Sequence, residues 1–166
     1  MARSAALGTV AKDLDACVIG ELLGAKDGQE VEFSVMGSGS SIMTERSSVP
    51  RTVEIRYLRR LDSLLCAIAG PALLKLDAQG YELEILKGAT GLLPTIQAIL
   101  LEIAVLEVNE SAPLLHDVLT FMKGLGFVAY DILEIHRRPL DRALNQIDVM
   151  FVREGSKLIA DKRHFA

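Results

Sequence analysis

Tryptophan is absent, and the 166 residues hold only two cysteines, five prolines and 5% aromatics. Cys17 and Cys66 form no CxxC pair. That excludes a disulfide-stapled scaffold, and two isolated thiols fit a reduced, cytoplasmic protein. No stretch approaches the roughly 18 apolar residues of a membrane span. The longest candidate, residues 98–108, is broken by Glu102 and Glu107. The opening MARSAALGTVAKD has no apolar core of signal-peptide length, because Lys12 and Asp13 arrive too early. Positive charge is not in excess either. Eighteen Lys and Arg against 22 Asp and Glu leave a formal charge of −4, so no bulk footprint for nucleic acid exists. There is no GxxxxGK[ST] phosphate loop, no HExxH and no GxSxG elbow. Gly37-Ser38-Gly39 begins like a dinucleotide fingerprint, but Ile42 stands where its third glycine belongs.

Half the chain is apolar and 24% is charged, with a mean hydropathy of +0.30. One globular domain with a sizeable core follows, and disorder does not. Residues 16–24 read as a short strand. Residues 29–36 alternate, with Val31, Phe33 and Val35 on one face, and 52–58 alternate with Val53, Ile55 and Tyr57. Two such strands around a Gly/Ser-rich loop predict an antiparallel excursion. Residues 61–69 read as a short helix stopped by Gly70-Pro71. Residues 72–77 are an apolar run ending in an acid, and a helix is predicted over 80–93 from the stripe Ile85, Leu86, Ala89, Leu92 and Leu93. Residues 98–108 read as a strand buried on both faces. A helix capped by Ser111 and closed by Gly124 and Gly126 follows. Residues 127–135 and 147–152 then form a hairpin around a polar loop, 136–146. Strand-helix alternation argues an α/β fold with a mostly parallel, Rossmann-like sheet and an antiparallel C-terminal hairpin.

The residues fit for chemistry gather in one segment, Leu74-Lys75-Leu76-Asp77-Ala78-Gln79-Gly80-Tyr81-Glu82. Asp77 stands at the carboxyl end of a strand, where open α/β sheets bind ligands, and Glu82 stands in the first turn of the next helix. Both have plainer roles available: Asp77 as a helix cap, Glu82 as a partner of the helix dipole. Glu102 is the better single candidate, because a lone carboxylate in an apolar strand must be paired, solvated or perturbed. The 37–41 stretch reads as a flexible loop before a binding loop, and His136-Arg137-Arg138 as a solvated face before an anion clamp.

The same segment, with Ile85-Leu86-Lys87-Gly88-Ala89, resembles the signature KID-x-(E/Q)-G-x-E…L-x-G of FkbM-type methyltransferases. Supporting stretches are Leu23-Gly24-Ala25-Lys26-Asp27-Gly28, Arg60-Leu61-Asp62-Ser63-Leu64-Leu65, Ile99-Leu100-Leu101-Glu102, Phe121-Met122-Lys123-Gly124-Leu125-Gly126-Phe127 and Asp148-Val149-Met150-Phe151-Val152. The resemblance spans residues 16–155 and implies a class I methyltransferase sheet. It also implies S-adenosylmethionine as methyl donor and a hydroxyl on a sugar or polyketide-like acceptor. On that basis Asp77, Glu102 and Glu82 are the catalytic candidates. His136 and Arg137 would line the acceptor pocket, and Ser40 and Ser41 would contact the cofactor. That fold's first strand, glycine-rich turn and second-strand acid are expected before residue 16, where only MARSAALGTVAKDLD stands. The expectation is therefore one N-terminally truncated domain over 1–166, with 29–58 an antiparallel excursion and 156–166 a tail. Its apolar strand edge would be open to a second copy of the chain. Two other readings stand beside it: an inactive binding or dimerising module, and metal-assisted hydrolysis by Asp77, Glu82 and Glu102, which no histidine spacing supports. A small-molecule or glycan acceptor is expected, with neither nucleic acid nor membrane as partner.

Overall fold

The computed structural model describes residues 11–36, 40–46 and 49–165. The Gly37-Ser38-Gly39 motif lies outside them. Alternation of apolar and polar residues produces strands β2 (Glu30–Val35) and β3 (Thr52–Arg59). They pair antiparallel, with Glu30 opposite Tyr57 and Val35 opposite Thr52. The predicted strand over 16–24 shrinks to β1 (Leu22–Leu23), which runs parallel to β3. These three form one sheet in the order β1-β3-β2. Val53, Ile55 and Tyr57 face solvent on it, and the Tyr57 hydroxyl donates to Glu30 Oε2 at 3.1 Å.

A short helix α1 (Leu61–Leu64) follows, ended well before the expected residue 69. Its Asp62 explains why it sits where it does. The carboxylate accepts the backbone N–H groups of Gly91 and Leu92 at 3.1 and 3.3 Å and pairs with Arg60 at 2.7 Å. Upstream, Asp27 accepts from Ser63 Oγ at 2.6 Å and from the Arg60 N–H at 3.0 Å. These bonds hold the Asp27 carboxyl below its ordinary value, the Ser63 hydroxyl contributing most. Two distant segments of the chain are thus tied through aspartates.

The second sheet holds β4 (Ala72–Leu76), β5 (Ile96–Ala104), β6 (Phe127–Arg137) and β7 (Leu144–Arg153) in the order β4-β5-β7-β6. Helix α2 (Glu82–Lys87) makes the crossover between β4 and β5, and α3 (Leu115–Gly124) joins β5 to β6. The pairings correct the mostly parallel expectation. Only β1 with β3 and β4 with β5 run parallel, whereas β2–β3, β5–β7 and β6–β7 are antiparallel. The architecture is mixed α/β with two sheets, consistent with a methyltransferase-like fold.

Leu83, Ile85 and Leu86 of α2 and Val118 and Met122 of α3 pack on Leu76, Ile99, Leu101, Ile103, Val149 and Phe151. All these sheet residues lie on one face, by the period of two. β5 is therefore not buried on both faces as its apolar run suggested. Its Ala98, Leu100, Glu102 and Ala104 are half-exposed on the other side, which no described helix covers. This open face carries the candidate site.

Two further helix expectations change. The predicted 80–93 helix stops at Lys87, and a 3-10 turn over Leu93–Thr95 contains Pro94. Ser111 is no cap. It takes φ +58, and the cap falls at Leu114, whose N–H donates to Asp117 Oδ2 at 3.0 Å. Gly88 ends α2 for a packing reason: a Cβ there would collide with the Gly24 carbonyl oxygen. Gly124 has open space where its Cβ would be. Gly88→Ala is expected to lower stability by about 1–3 kcal/mol, as overpacking does. Gly124→Ala should be neutral or stabilising by up to about 1 kcal/mol. Urea midpoints of the two variants check this contrast.

Candidate active site

The turn after β4 builds the site. Gln79 and Gly80 have φ +52 and +100, and the Tyr81 N–H donates to the Ala78 carbonyl at 3.3 Å. Positive φ at both central residues is the pattern of a type I′ turn. Glycine is required at position 80 for space as well, since a Cβ would stand 2.7 Å from the Ala112 Cβ. Glu82, only 6% exposed, locks this turn. Its Oε1 accepts the Ala78 N–H at 2.7 Å and the Gly80 N–H at 3.2 Å. Burial raises the Glu82 carboxyl above its ordinary value, against the pull of these backbone donors. Glu82 thus faces its own loop and braces it.

The brace aims Gln79. Its Nε2 donates to Asp77 Oδ1 at 3.1 Å and to Glu102 Oε2 at 2.9 Å. Its backbone carbonyl accepts from Asn109 Nδ2 at 2.8 Å and from Ser41 Oγ at 3.3 Å. Register explains the meeting of the two acids. Leu76 pairs with Leu101, so Asp77 and Glu102 follow side by side on the open face. Asp77 is exposed and pairs with Lys75 at 3.5 Å. Glu102 is half-buried, and Gln146 Nε2 also donates to its Oε2 at 2.9 Å. Burial, then the neighbouring Asp77 and Asp148 carboxylates, push the Glu102 carboxyl above its usual range, while His136 opposes them.

Three cavities adjoin this cluster. One of about 240 Å³ is lined by Asp77, Ala78, Tyr81, Ser40, Ser41 and the apolar Leu22, Leu23, Phe33 and Ile85. A second, of about 210 Å³, is lined by Gln79, Asn109, Asn145 and Gln146. The largest, a groove of about 780 Å³, has His136, Arg137, Arg138, Arg46, Asn145 and Gln146 on its walls. His136 and Arg137 reach that groove from the end of β6, which runs to Arg137, and not from the polar loop assigned to them. Arg137 Nη1 donates to the Arg142 carbonyl at 3.1 Å. Ser40 and Ser41 line the first cavity, yet their hydroxyls also serve the chain itself. Ser40 Oγ accepts the Met36 N–H at 2.9 Å, and Ser41 Oγ accepts that of Met43 at 2.9 Å.

Sequence reasoning did not single out Gln79, Gln146, Asn145 or Asp148. Asp148 had a signal: it is an acid inside the apolar β7 run, the same irregularity that marked Glu102. Gln79 stands at the (E/Q) position of the signature, which marked the residue but not its partners; Gln146 had no signal, because its role is a cross-strand meeting.

The model of the methyltransferase FkbM domain matches residues 5–129. The chain belongs to the FkbM methyltransferase domain family. No curated protein matches it, and no solved structure matches it. Methyltransferases of this family generally use S-adenosylmethionine, and the residues present suit its reactive end. A carboxylate, Asp77, borders a cavity with largely apolar walls, and small-molecule sites combine such walls with a few placed polar or charged groups.

Glu82 yields a test. Glu82→Ala leaves the Ala78 and Gly80 N–H groups unpaired and should cost about 2–4 kcal/mol. Glu82→Gln keeps the accepting oxygen and should retain the fold. A carboxyl raised in the folded state contributes most stability below the ordinary carboxyl range, and loses that contribution as pH rises through the raised value. The stability of the native chain relative to Glu82→Gln should therefore decline as pH rises through that window. Urea melts of both proteins across the pH range check it.

Proposed function

We propose that the protein transfers a methyl group from S-adenosylmethionine to a hydroxyl oxygen of a sugar or polyketide-like acceptor. The observation that carries this reading is the pairing of Asp77 and Glu102 through the Gln79 amide, on the sheet face that no described helix covers, between two cavities. When bound, S-adenosylmethionine supplies a methyl on a positively charged sulfur, and its transfer to a hydroxyl oxygen releases a neutral thioether and one proton.

The chain's own residues divide the remaining work. Asp77 borders the smaller cavity and balances positive charge held there. Glu102, ionised, takes the hydroxyl proton; Gln79 and Gln146 hold its Oε2 and so keep the carboxylate in one orientation. His136 and Arg137 line the groove for the acceptor. Asn145, on the walls of both the groove and the 210 Å³ cavity, has a buried Oδ1 with no hydrogen-bond partner among the described residues. An acceptor rich in hydroxyls satisfies that oxygen.

Calorimetry with S-adenosylmethionine tests the donor half, and absence of heat and of thermal shift at millimolar ligand favours a non-enzymatic module. Release of S-adenosylhomocysteine over a panel of polyhydroxylated acceptors tests the other half. Glu102→Gln is expected to reduce turnover about 10²–10⁴-fold, and Asp77→Asn should weaken donor binding. Unchanged rates in both would remove these residues from the chemistry. Because the Glu102 carboxyl is raised, activity should climb with pH over a range above that of an ordinary carboxylate. Glu102→Gln should flatten that limb.

A further inference from the structure

The open face holds a constellation that shares Glu102 and His136 with the proposed transfer and adds Asp148, which that transfer does not use. Across the antiparallel strands, Glu102 stands opposite Asp148 and Asp148 opposite Glu134, while His136 pairs with Gln146. One ligand atom each of Glu102, His136 and Asp148 lies within 4.8 Å of the others. We propose that these three side chains bind one divalent first-row transition-metal ion, such as Zn²⁺ or Mn²⁺, with its remaining positions open to the groove.

Four observations support the site. His136 Nε2 and Asp148 Oδ1 are 3.3 Å apart, close to the separation of two donors sharing one ion at bonds of about 2.1 Å. Both amide donors to Glu102, from Gln79 and Gln146, go to Oε2; among the described residues none goes to Oε1, which is left for an ion. Behind the imidazole, Nδ1 faces Glu134 Oε1 at 3.9 Å. A carboxylate hydrogen-bonded behind a ligating histidine orients the ring; at 3.9 Å Glu134 gives Nδ1 an electrostatic contact on that side and no hydrogen bond. Finally, Asp77, Glu102, Glu134 and Asp148 bring four carboxylates to one row of the face, with Lys75 paired to Asp77 alone. A dication relieves that repulsion. One nitrogen with two carboxylates suits zinc, manganese or iron over magnesium or calcium, which take oxygen sets.

His136 and Asp148 lie beyond the residues matched by the family model, and the inference does not rest on methyl transfer. An ordinary ion pair is the competing account. The exposed pair His116 and Asp117, also 3.3 Å apart, belongs to no such group of three among the described residues and provides the comparison.

Tag-free protein stripped with chelator and dialysed should take up one Zn²⁺ or Co²⁺ per chain in calorimetric titration, undisturbed by equimolar Mg²⁺. His136→Gln and Asp148→Asn should each weaken uptake by at least about 10- to 100-fold, the loss that outer partners of a metal site already give, with melting curves of the metal-free proteins retained. His116→Gln should leave uptake unchanged. Absence of stoichiometric uptake overturns the proposal. So does native affinity in His136→Gln, or a thiolate-to-cobalt absorption band lost in Cys17→Ser or Cys66→Ser. Should both ligand variants lose their melting transitions, Mn²⁺ on the native chain decides. Selective broadening of the His136 imidazole resonances supports the site, and equal broadening at His116 refutes it. S-adenosylmethionine binding on the same stripped protein keeps this outcome separate from that of the proposed transfer.

Discussion

One buried carboxylate holds the turn from which the rest of the site is hung. Glu82 reaches back to two backbone N–H groups of the 78–80 segment, and those bonds keep Gln79 and Gly80 in a left-handed conformation that a free loop would rarely hold. From there the side-chain amide of Gln79 spans Asp77 and Glu102, and the residue's backbone carbonyl is caught by Asn109 and Ser41. Four segments of the chain therefore meet through a single residue. Burying Glu82 costs solvation, and the raised carboxyl records it. The two N–H groups would otherwise be left without partners in a protein interior.

The second constraint is asymmetry of covering. The helices α2 and α3 supply Leu83, Ile85, Leu86, Val118 and Met122 to one face of the four-stranded sheet. The other face presents Glu102 and Asp148 in register across β5 and β7. Polar side chains survive in the middle of those apolar strands because that face is half-exposed and because amides and an imidazole surround them. Function and packing are thus separated by the simple period of a strand, in which adjacent residues belong to opposite worlds.

Glycines of the family signature acquire physical reasons in this arrangement. At Gly80 both the positive φ and the nearby Ala112 forbid a larger residue. At Gly88 the backbone of Gly24 comes too close for a Cβ, so the end of α2 and the β1 segment touch main chain to main chain. Asp62 and Asp27 extend the same theme, joining α1 to the 91–92 turn and the 27–28 turn to the start of α1. Short helices here depend on these side-chain anchors, because four to six residues are too few to sustain a helix alone.

By itself the sequence determined the local and periodic features. Strands β2, β3, β6 and β7 follow from alternation and apolar runs, and Asp77 and Glu102 stand out as acids where apolar strands end or are interrupted. Family membership was legible in the 77–89 signature for the same reason: its glycines and acids answer to local backbone demands. Only the tertiary structure decided which face of β5 would be covered, since nine mainly apolar residues in a strand look alike from both sides. It also decided the shortened helices, where anchoring by Asp62 and the Gly24 contact outweighed a hydrophobic stripe. The partners of Glu102 belong to this second class. Gln79, Gln146, Asp148 and His136 come from separate points in the chain: strand register brings the last three to one carboxylate, and the turn braced by Glu82 brings Gln79.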